Sequence, residues 1–100
     1  MDINFELGDL KFVWDSEKAE INRKKHGVNF EDAALVFFDE NLMEEVDENH
    51  SDFEDRYKII GKVENVIVVI YTERGDKNRI ISARTANKKE TEDYYEQFYY

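Results

Sequence analysis

The chain has 100 residues, no cysteine and a formal net charge of −10 at pH 7. Its length fits one compact domain over residues 1–100, and the lack of cysteine excludes a disulfide framework, a thiol nucleophile and a cysteine-built zinc site. The acidic balance disfavours general affinity for nucleic acid. Because the sequence has no secretory leader and no apolar run of membrane-spanning length, we expect an unsecreted, cytoplasmic protein.

The N-terminal half predicts one strand followed by two helices. Lys11–Trp14 is a short strand, and Asp15 is placed to cap the N-terminus of a helix that runs to about His26. Gly27 suits the left-handed position just past the end of that helix. Asn29 can cap a second helix. The buried stripe of this second helix, at helical spacing, comprises Phe30, Ala33, Ala34, Phe37 and Phe38.

The C-terminal half predicts four strands and a last helix. Alternation puts Arg56, Lys58 and Lys62 on one side of a strand, which makes one face of the sheet cationic. The predicted elements are strands at Leu42–Val46, Arg56–Val63, Val66–Tyr71 and Arg79–Ala83, a polar loop at Asp47–Asp55, and a helix capped by Asn87. The element order is therefore β-α-α-β-β-β-β-α, an α+β arrangement.

Charge is distributed unevenly along the chain. Residues 39–55 hold nine acids and no lysine or arginine, whereas residues 56–84 hold seven bases and three acids. The acidic stretch does not have the spacing of a calcium-binding loop, so a solvated or partner-binding surface is favoured over a magnesium site. We expect no metal and no cofactor. The basic stretch predicts a local anion site within an acidic protein.

An RNA strand can be cleaved without a metal when its own 2′-hydroxyl attacks the neighbouring phosphorus. This reaction needs a base for the hydroxyl, an acid for the leaving oxygen and cations for the developing charge. Arginine suits the cationic role because its guanidinium stays charged and grips phosphate with paired hydrogen bonds. The candidate cations are Arg56, Arg74, Arg79 and Arg84, and the candidate proton carriers are His26, His50 and Glu54.

Each of these residues also has a structural interpretation. A histidine at a helix C-terminus, such as His26, is more often a capping or surface residue than a catalyst, and His50 lies in the acidic loop. Strand arginines often only cover apolar surface or pair with acids. Arg79 and Arg84 are five residues apart, so in a regular strand they face opposite sides unless a bulge or the strand's end intervenes.

Three sequence blocks together resemble the BrnT family of toxins. They are Lys25-His26-Gly27 with Phe30 beyond, Glu54 and Arg56 separated by one residue, and RIISAR over Arg79–Arg84, within a match from Trp14 to about Tyr95. The resemblance implies a RelE-like fold, with a small antiparallel-rich sheet and helices packed on it, and a ribonuclease toxin of a type II toxin–antitoxin system. It also implies neutralisation by a cognate BrnA-like ribbon-helix-helix antitoxin, with operator DNA reached only through that antitoxin.

The resemblance carries seven polar residues over as site residues, namely Lys25, His26, Glu54, Arg56, Arg74, Arg79 and Arg84. In the working hypothesis, His26 or Glu54 accepts the proton. Arg56, Arg74 and Arg84 contact phosphate and stabilise charge, while Lys25 and Arg79 help to hold the RNA. The alternative function is a catalytically weak or inactive toxin homologue that acts as a co-repressor of a ribbon-helix-helix DNA-binding protein.

Overall fold

The computed structural model describes residues 1–46 and 54–99 and shows an α+β fold built on one six-stranded sheet. The strands are β1 (Asp2–Leu7), β2 (Leu10–Asp15), β3 (Met43–Val46), β4 (Arg56–Val63), β5 (Asn65–Arg74) and β6 (Lys77–Thr85). The helices are α1 (Ser16–His26), α2 (Phe30–Val36) and α3 (Lys88–Glu96), followed by a 3₁₀ turn at Gln97–Tyr99. The predicted loop at Asp47–Asp55, with His50, lies outside the described residues except for its last two positions.

The strand order across the sheet is β1-β2-β6-β5-β4-β3. All neighbouring pairs are antiparallel except β2 and β6, which run parallel and pair only at Phe12 with Asn78 and at Val13 with Arg79. The main core, which includes Phe30 and Ala33 of α2, covers one face of the sheet, whereas Tyr94 of α3 packs on the other. In the described ranges, no helix has the length and apolar character needed to cross a membrane.

The structure has one strand more than the predicted order, because β1 precedes the strand predicted at Lys11–Trp14. β1 forms a hairpin with β2, and the turn includes Gly8 at a φ of 60°. Phe5 and Leu7 alternate along β1 and pack against the main core, which explains why the N-terminal segment joins the sheet. The observed order is β-β-α-α-β-β-β-β-α.

The predicted helix caps are confirmed. The Asp15 carboxylate accepts a hydrogen bond from the Lys18 backbone N–H at 2.9 Å, and Gly27 ends α1 at a φ of 73°. The Asn29 and Asn87 side chains likewise accept backbone N–H groups at the starts of α2 and α3. Local hydrogen-bonding chemistry therefore determines where all three helices begin.

The predicted buried stripe of the second helix is partly wrong. That helix ends at Val36, so Phe38 lies beyond it and is 44% exposed. Val36 takes the buried position instead and lies against Gly61 of β4. An added Cβ at Gly61 would lie 2.8 Å from Cγ1 of Val36, so this close approach of helix and strand requires glycine.

A β-bulge in β6 determines which side chains share a face. Ile70 of β5 pairs with Ser82, but the next residue, Tyr71, pairs with Ile80, so Ile81 is an extra residue without a partner on β5. As a result Ile80 and Ala83, although three residues apart, are both buried in the main core.

The bulge also determines the direction of two arginines. Arg79 lies opposite Thr72 and Arg84 lies opposite Val68, and these two β5 residues are four positions apart. Residues separated by an even number of positions share a face of a strand. Arg79 and Arg84 therefore point to the same side of the sheet, which is the side that α3 packs on.

Helix α1 lies beside β6, and Asn22 attaches it there. The Asn22 side-chain amide donates to the Ala83 carbonyl at 2.8 Å and to the Val28 carbonyl at 3.0 Å, and its oxygen accepts from the Ala83 N–H at 3.1 Å. These bonds satisfy backbone groups of β6 that no neighbouring strand reaches. The exposed side of α1 is thereby held next to the bulge.

Helix α3 is tied to the sheet by a buried carboxylate. Glu90 accepts hydrogen bonds from the Arg84 guanidinium at 2.7 and 2.9 Å and from the Asn87 backbone N–H at 2.9 Å. The Lys58 ammonium lies 3.1 Å from the same carboxylate. The paired bonds from Arg84, supported by those from Asn87 and Lys58, outweigh burial and lower the Glu90 pKa to about 2.

We expect this ion cluster to make stability depend on pH. A lowered folded-state pKa contributes stability above the unfolded value, which is 4.5 here, and that contribution is lost as pH falls towards about 2. Glu90→Gln should therefore lower the free energy of unfolding at pH 6 by about 2–3 kcal/mol, and the difference from the unsubstituted protein should shrink by pH 3. Urea denaturation across this pH range measures it.

Glu92→Gln is the matched control, because Glu92 is an exposed carboxylate on the same helix, 4.0 Å from Lys88. It should change stability by less than about 0.5 kcal/mol at any of these pH values. A stability difference for Glu90→Gln that stays constant from pH 6 to pH 3 would contradict the assigned role of the carboxylate.

Candidate active site

A cavity of about 80 Å³ opens on the sheet face that also carries α3. Four cations and two acids contribute to its lining, so its local charge is opposite in sign to the net charge of −10. The lining residues are Asp15, Lys18, Glu54, Arg56, Arg74, Arg79, Ile80 and Ile81. The cavity is therefore suited to an anionic ligand.

Strand pairing brings Arg56 and Arg79 into one row. Both residues lie directly opposite Thr72, Arg56 from β4 and Arg79 from β6. Neighbouring strands are about 4.8 Å apart, so the two arginine backbones flank Thr72 at a mutual distance of roughly 10 Å. The buried Thr72 hydroxyl donates to the Asp55 carbonyl at 2.7 Å, which holds the start of β4 against this row.

Arg74 and Glu54 lie at the end of the same face. The Arg74 Nε–H donates a hydrogen bond to one Glu54 carboxylate oxygen at 3.0 Å. A terminal nitrogen of the same guanidinium lies 2.9 Å from that oxygen. Glu54 thus places a carboxylate among the cations of the cavity, and within the described residues its second oxygen accepts no hydrogen bond. A carboxylate in this position is chemically able to accept a proton from a ligand hydroxyl in the cavity.

The other two arginines differ in their partners. Arg79 lies 3.1 Å from the Asp2 carboxylate of β1, which is 55% exposed, and this contact lowers the Asp2 pKa. Among the residues that the structure describes, Arg56 forms no ion pair, and its buried Nε–H has no hydrogen-bond acceptor. Of the three arginines that line the cavity, Arg56 is therefore the one without a carboxylate partner among the described residues.

A second cavity of about 240 Å³ lies between α1 and β6. It shares Lys18 and Ile81 with the first cavity, so the two adjoin. Its other lining residues are Ile21, Asn22, Lys25, His26 and Ser82. Lys25 and His26 are thus next to the arginine cavity and not inside it.

The structure brings together most of the residues named from the sequence. Glu54, Arg56, Arg74 and Arg79 line one cavity, and Lys25 and His26 line its neighbour. His50, the weaker of the two histidine candidates, falls in the segment that is not described.

The structure does not bring Arg84 into the cavity that Arg56 and Arg74 line. Arg84 lies four β5 positions from the row of Arg79, a separation of about 13 Å. Its guanidinium is paired with Glu90, which offers two charge-assisted hydrogen bonds. Arg84 therefore helps to hold α3 on the sheet.

Sequence reasoning missed Lys18, the charged residue common to both cavities. Lys18, Ile21, Asn22 and Lys25 are spaced by three, one and three residues, which places them on one side of α1. This spacing could have indicated that Lys18 lies on the same side of α1 as Lys25. Within residues 1–46 and 54–99, no group of three His, Asp or Glu side chains has a geometry that could hold a metal ion.

Comparison with known proteins finds a matching family model and a similar solved structure. The family model described as "Ribonuclease toxin, BrnT, of type II toxin-antitoxin system" matches residues 14–90. The 1.1 Å crystal structure of the Brucella abortus ribonuclease toxin BrnT superposes with a TM-score of 0.57 at 29% identity, covering 75% of this chain and 94% of that chain. No curated protein matches the chain.

The family match begins at Trp14 and ends at Glu90, so it includes every residue that lines the two cavities. β1 and most of β2 precede it. Type II systems pair each toxin with an antitoxin, so the family implies an antitoxin partner. This chain belongs to the BrnT family of ribonuclease toxins of type II toxin–antitoxin systems.

Proposed function

We propose that this chain is an endoribonuclease that cleaves RNA by attack of a 2′-hydroxyl on the adjacent phosphorus, without a metal ion. The observation that carries the proposal is the cavity that Arg56, Arg74 and Arg79 line together with the Glu54 carboxylate. Guanidinium groups supply the charge stabilisation that a metal would otherwise give to the pentacoordinate phosphate. The proposed substrate is therefore RNA, which is cleaved in its backbone. The proposed location of the reaction is the cytoplasm.

Glu54 is the proposed proton acceptor. It shares the cavity with the arginines, whereas His26 lines the adjoining cavity. The Arg74 guanidinium orients its carboxylate through hydrogen bonds of about 3 Å. Arg56 and Arg79, on either side of Thr72, then bind the oxygens of the phosphate.

The remaining residues have supporting roles in this proposal. Lys25 and His26 contact the part of the RNA that extends into the adjoining cavity, and Lys18 bridges the two cavities. Arg84 is a positioning residue, because its bonds to Glu90 hold α3 on the sheet and it does not line either cavity.

The proposed partner is a BrnA-like ribbon-helix-helix antitoxin, which would carry the contacts with operator DNA. Charge complementarity supports a basic partner segment, because the chain holds 24 acids against 14 lysines and arginines, and four of those cations line the cavity. An acidic outer surface also limits binding of RNA elsewhere on the protein.

A second candidate function is favoured by the ion pairs of the cavity. Arg74 is paired with Glu54 and Arg79 with Asp2, so two of the three arginines already have carboxylate partners. A toxin homologue weakened in this way would serve as a co-repressor that binds the ribbon-helix-helix protein. Such a protein would bind its antitoxin and leave RNA intact.

We expect Arg56→Ala to lower kcat/KM for RNA cleavage by about 10²–10³-fold, because it removes a charged donor aimed at the transition state. The measurement is cleavage of a labelled RNA by purified protein in EDTA. Arg23→Ala is the control, since Arg23 is paired with Glu20 on α1 and lines neither cavity. Full activity of Arg56→Ala would contradict the proposed site, and loss of cleavage in EDTA would contradict the metal-free mechanism.

Glu54→Gln and His26→Gln should separate the two candidate proton acceptors. If Glu54 is the base, Glu54→Gln lowers kcat by about 10²–10⁴-fold, whereas His26→Gln mainly raises KM. Single-turnover cleavage at saturating and limiting RNA concentrations measures the two parameters. A large fall in kcat for His26→Gln with near-normal kcat for Glu54→Gln would transfer the role to the imidazole.

Asp2→Asn should strengthen RNA binding about two- to threefold, because it releases Arg79 from a surface ion pair of modest strength. Asp9→Asn removes the same charge from the β1–β2 turn without touching Arg79, and it controls for the change in net charge. Fluorescence anisotropy with a labelled RNA gives both affinities. Equal changes in the two variants would show that Asp2 does not compete with RNA for Arg79.

A further inference from the structure

We propose that the cavity between α1 and β6 is a nucleoside subsite, which holds the RNA nucleoside next to the phosphate bound in the arginine cavity. This inference rests on the proposed function. Two observations carry it: the cavity adjoins the arginine cavity through Lys18 and Ile81, and its lining combines an aliphatic wall with cationic and hydrogen-bonding groups.

The aliphatic wall is formed by Ile21 and Ile81. Ile21 is 64% exposed in a helix whose other residues are almost all polar, and its side chain faces the cavity. A nucleobase has two apolar faces and a polar edge, so it gains from contact with aliphatic side chains while its edge finds donors and acceptors. The Ser82 hydroxyl and the His26 imidazole line the same cavity and supply those groups.

The cations of this cavity follow the expected course of an RNA backbone. Lys18 and Lys25 are seven residues apart on one side of α1, a separation of about 10 Å along the helix axis. Lys18 also lines the arginine cavity, so it lies between the scissile phosphate and the nucleoside. An RNA strand with one phosphate in the arginine cavity therefore passes Lys18, and its next phosphate reaches Lys25.

The bulge explains why the two cavities adjoin. Ile81, the extra residue of β6, lines both cavities, and Ser82 follows it directly in the second. Asn22 fixes α1 at the backbone of Ala83, one residue beyond Ser82. The width of the nucleoside subsite is thus determined by one helix and one strand that are hydrogen-bonded to each other.

The test is the binding of a fully 2′-O-methylated RNA oligonucleotide, which lacks the attacking hydroxyl, to the full-length protein. Ile21→Ser should weaken binding about tenfold through lost apolar contact while leaving the slope of affinity against salt unchanged. Lys18→Ala should reduce that slope by about 0.7, the value for one phosphate contact on a single strand. Leu35→Ser is the control, since Leu35 is an exposed aliphatic residue of α2 that lines neither cavity.

With cleavable RNA, Ile21→Ser should raise KM, with a smaller fall in kcat, and should redistribute the positions at which a long RNA is cut. Affinity and cut positions of Ile21→Ser that equal those of Leu35→Ser would overturn the subsite and leave the nuclease function standing. Tight oligonucleotide binding that is sensitive to Ile21→Ser, in a protein that cuts no RNA, would support the subsite and reject the nuclease function. Absence of any oligonucleotide binding would overturn both.

Discussion

The bulge at Ile81 is the constraint on which the site depends. It allows Ile80 and Ala83, three residues apart, to enter the same core. Arg79, one residue before Ile80, and Arg84, one residue after Ala83, then take the opposite face, where Arg79 joins the row of Arg56 and Thr72. Packing of apolar residues on one side of the sheet therefore positions the cations on the other.

A cationic cavity in a chain of net charge −10 is physically consistent. Exposed charges further than about 10 Å from a bound phosphate are largely screened at 0.1 M salt, so the residues that line the cavity dominate the local field. The same argument gives Asp2 and Glu54 more influence than the many acids elsewhere, because each lies within 3.1 Å of a cavity arginine. An acidic protein can thus bind RNA at one place and repel it at others.

Features set by local chemistry could be predicted from the sequence. Asp15, Asn29 and Asn87 cap their helices as expected, because each side chain bonds to a backbone N–H only three residues away. The alternation of β4 likewise placed Arg56 and Lys58 on one face of the sheet. These elements need little information from distant residues.

Features set by distant partners were not predicted. The pairing of Arg84 with Glu90 depends on how α3 packs on the sheet, and the sequence alone did not identify it. The bulge was named only as an exception to regular strand geometry, because nothing local in RIISAR shows which residue lacks a partner. β1 was missed although Phe5 and Leu7 alternate, since a single hairpin becomes stable only against the core that it covers.

The most direct test of the central claim is a nuclear magnetic resonance titration of the arginine side-chain Nε–H signals with 2′-O-methylated RNA. The account predicts that the signals of Arg56, Arg74 and Arg79 shift together, at one saturation midpoint, while those of Arg23 and Arg84 stay in place. Shifts of Arg84 and Arg23 as large as those of the other three, or unchanged signals from the cavity arginines, would contradict it.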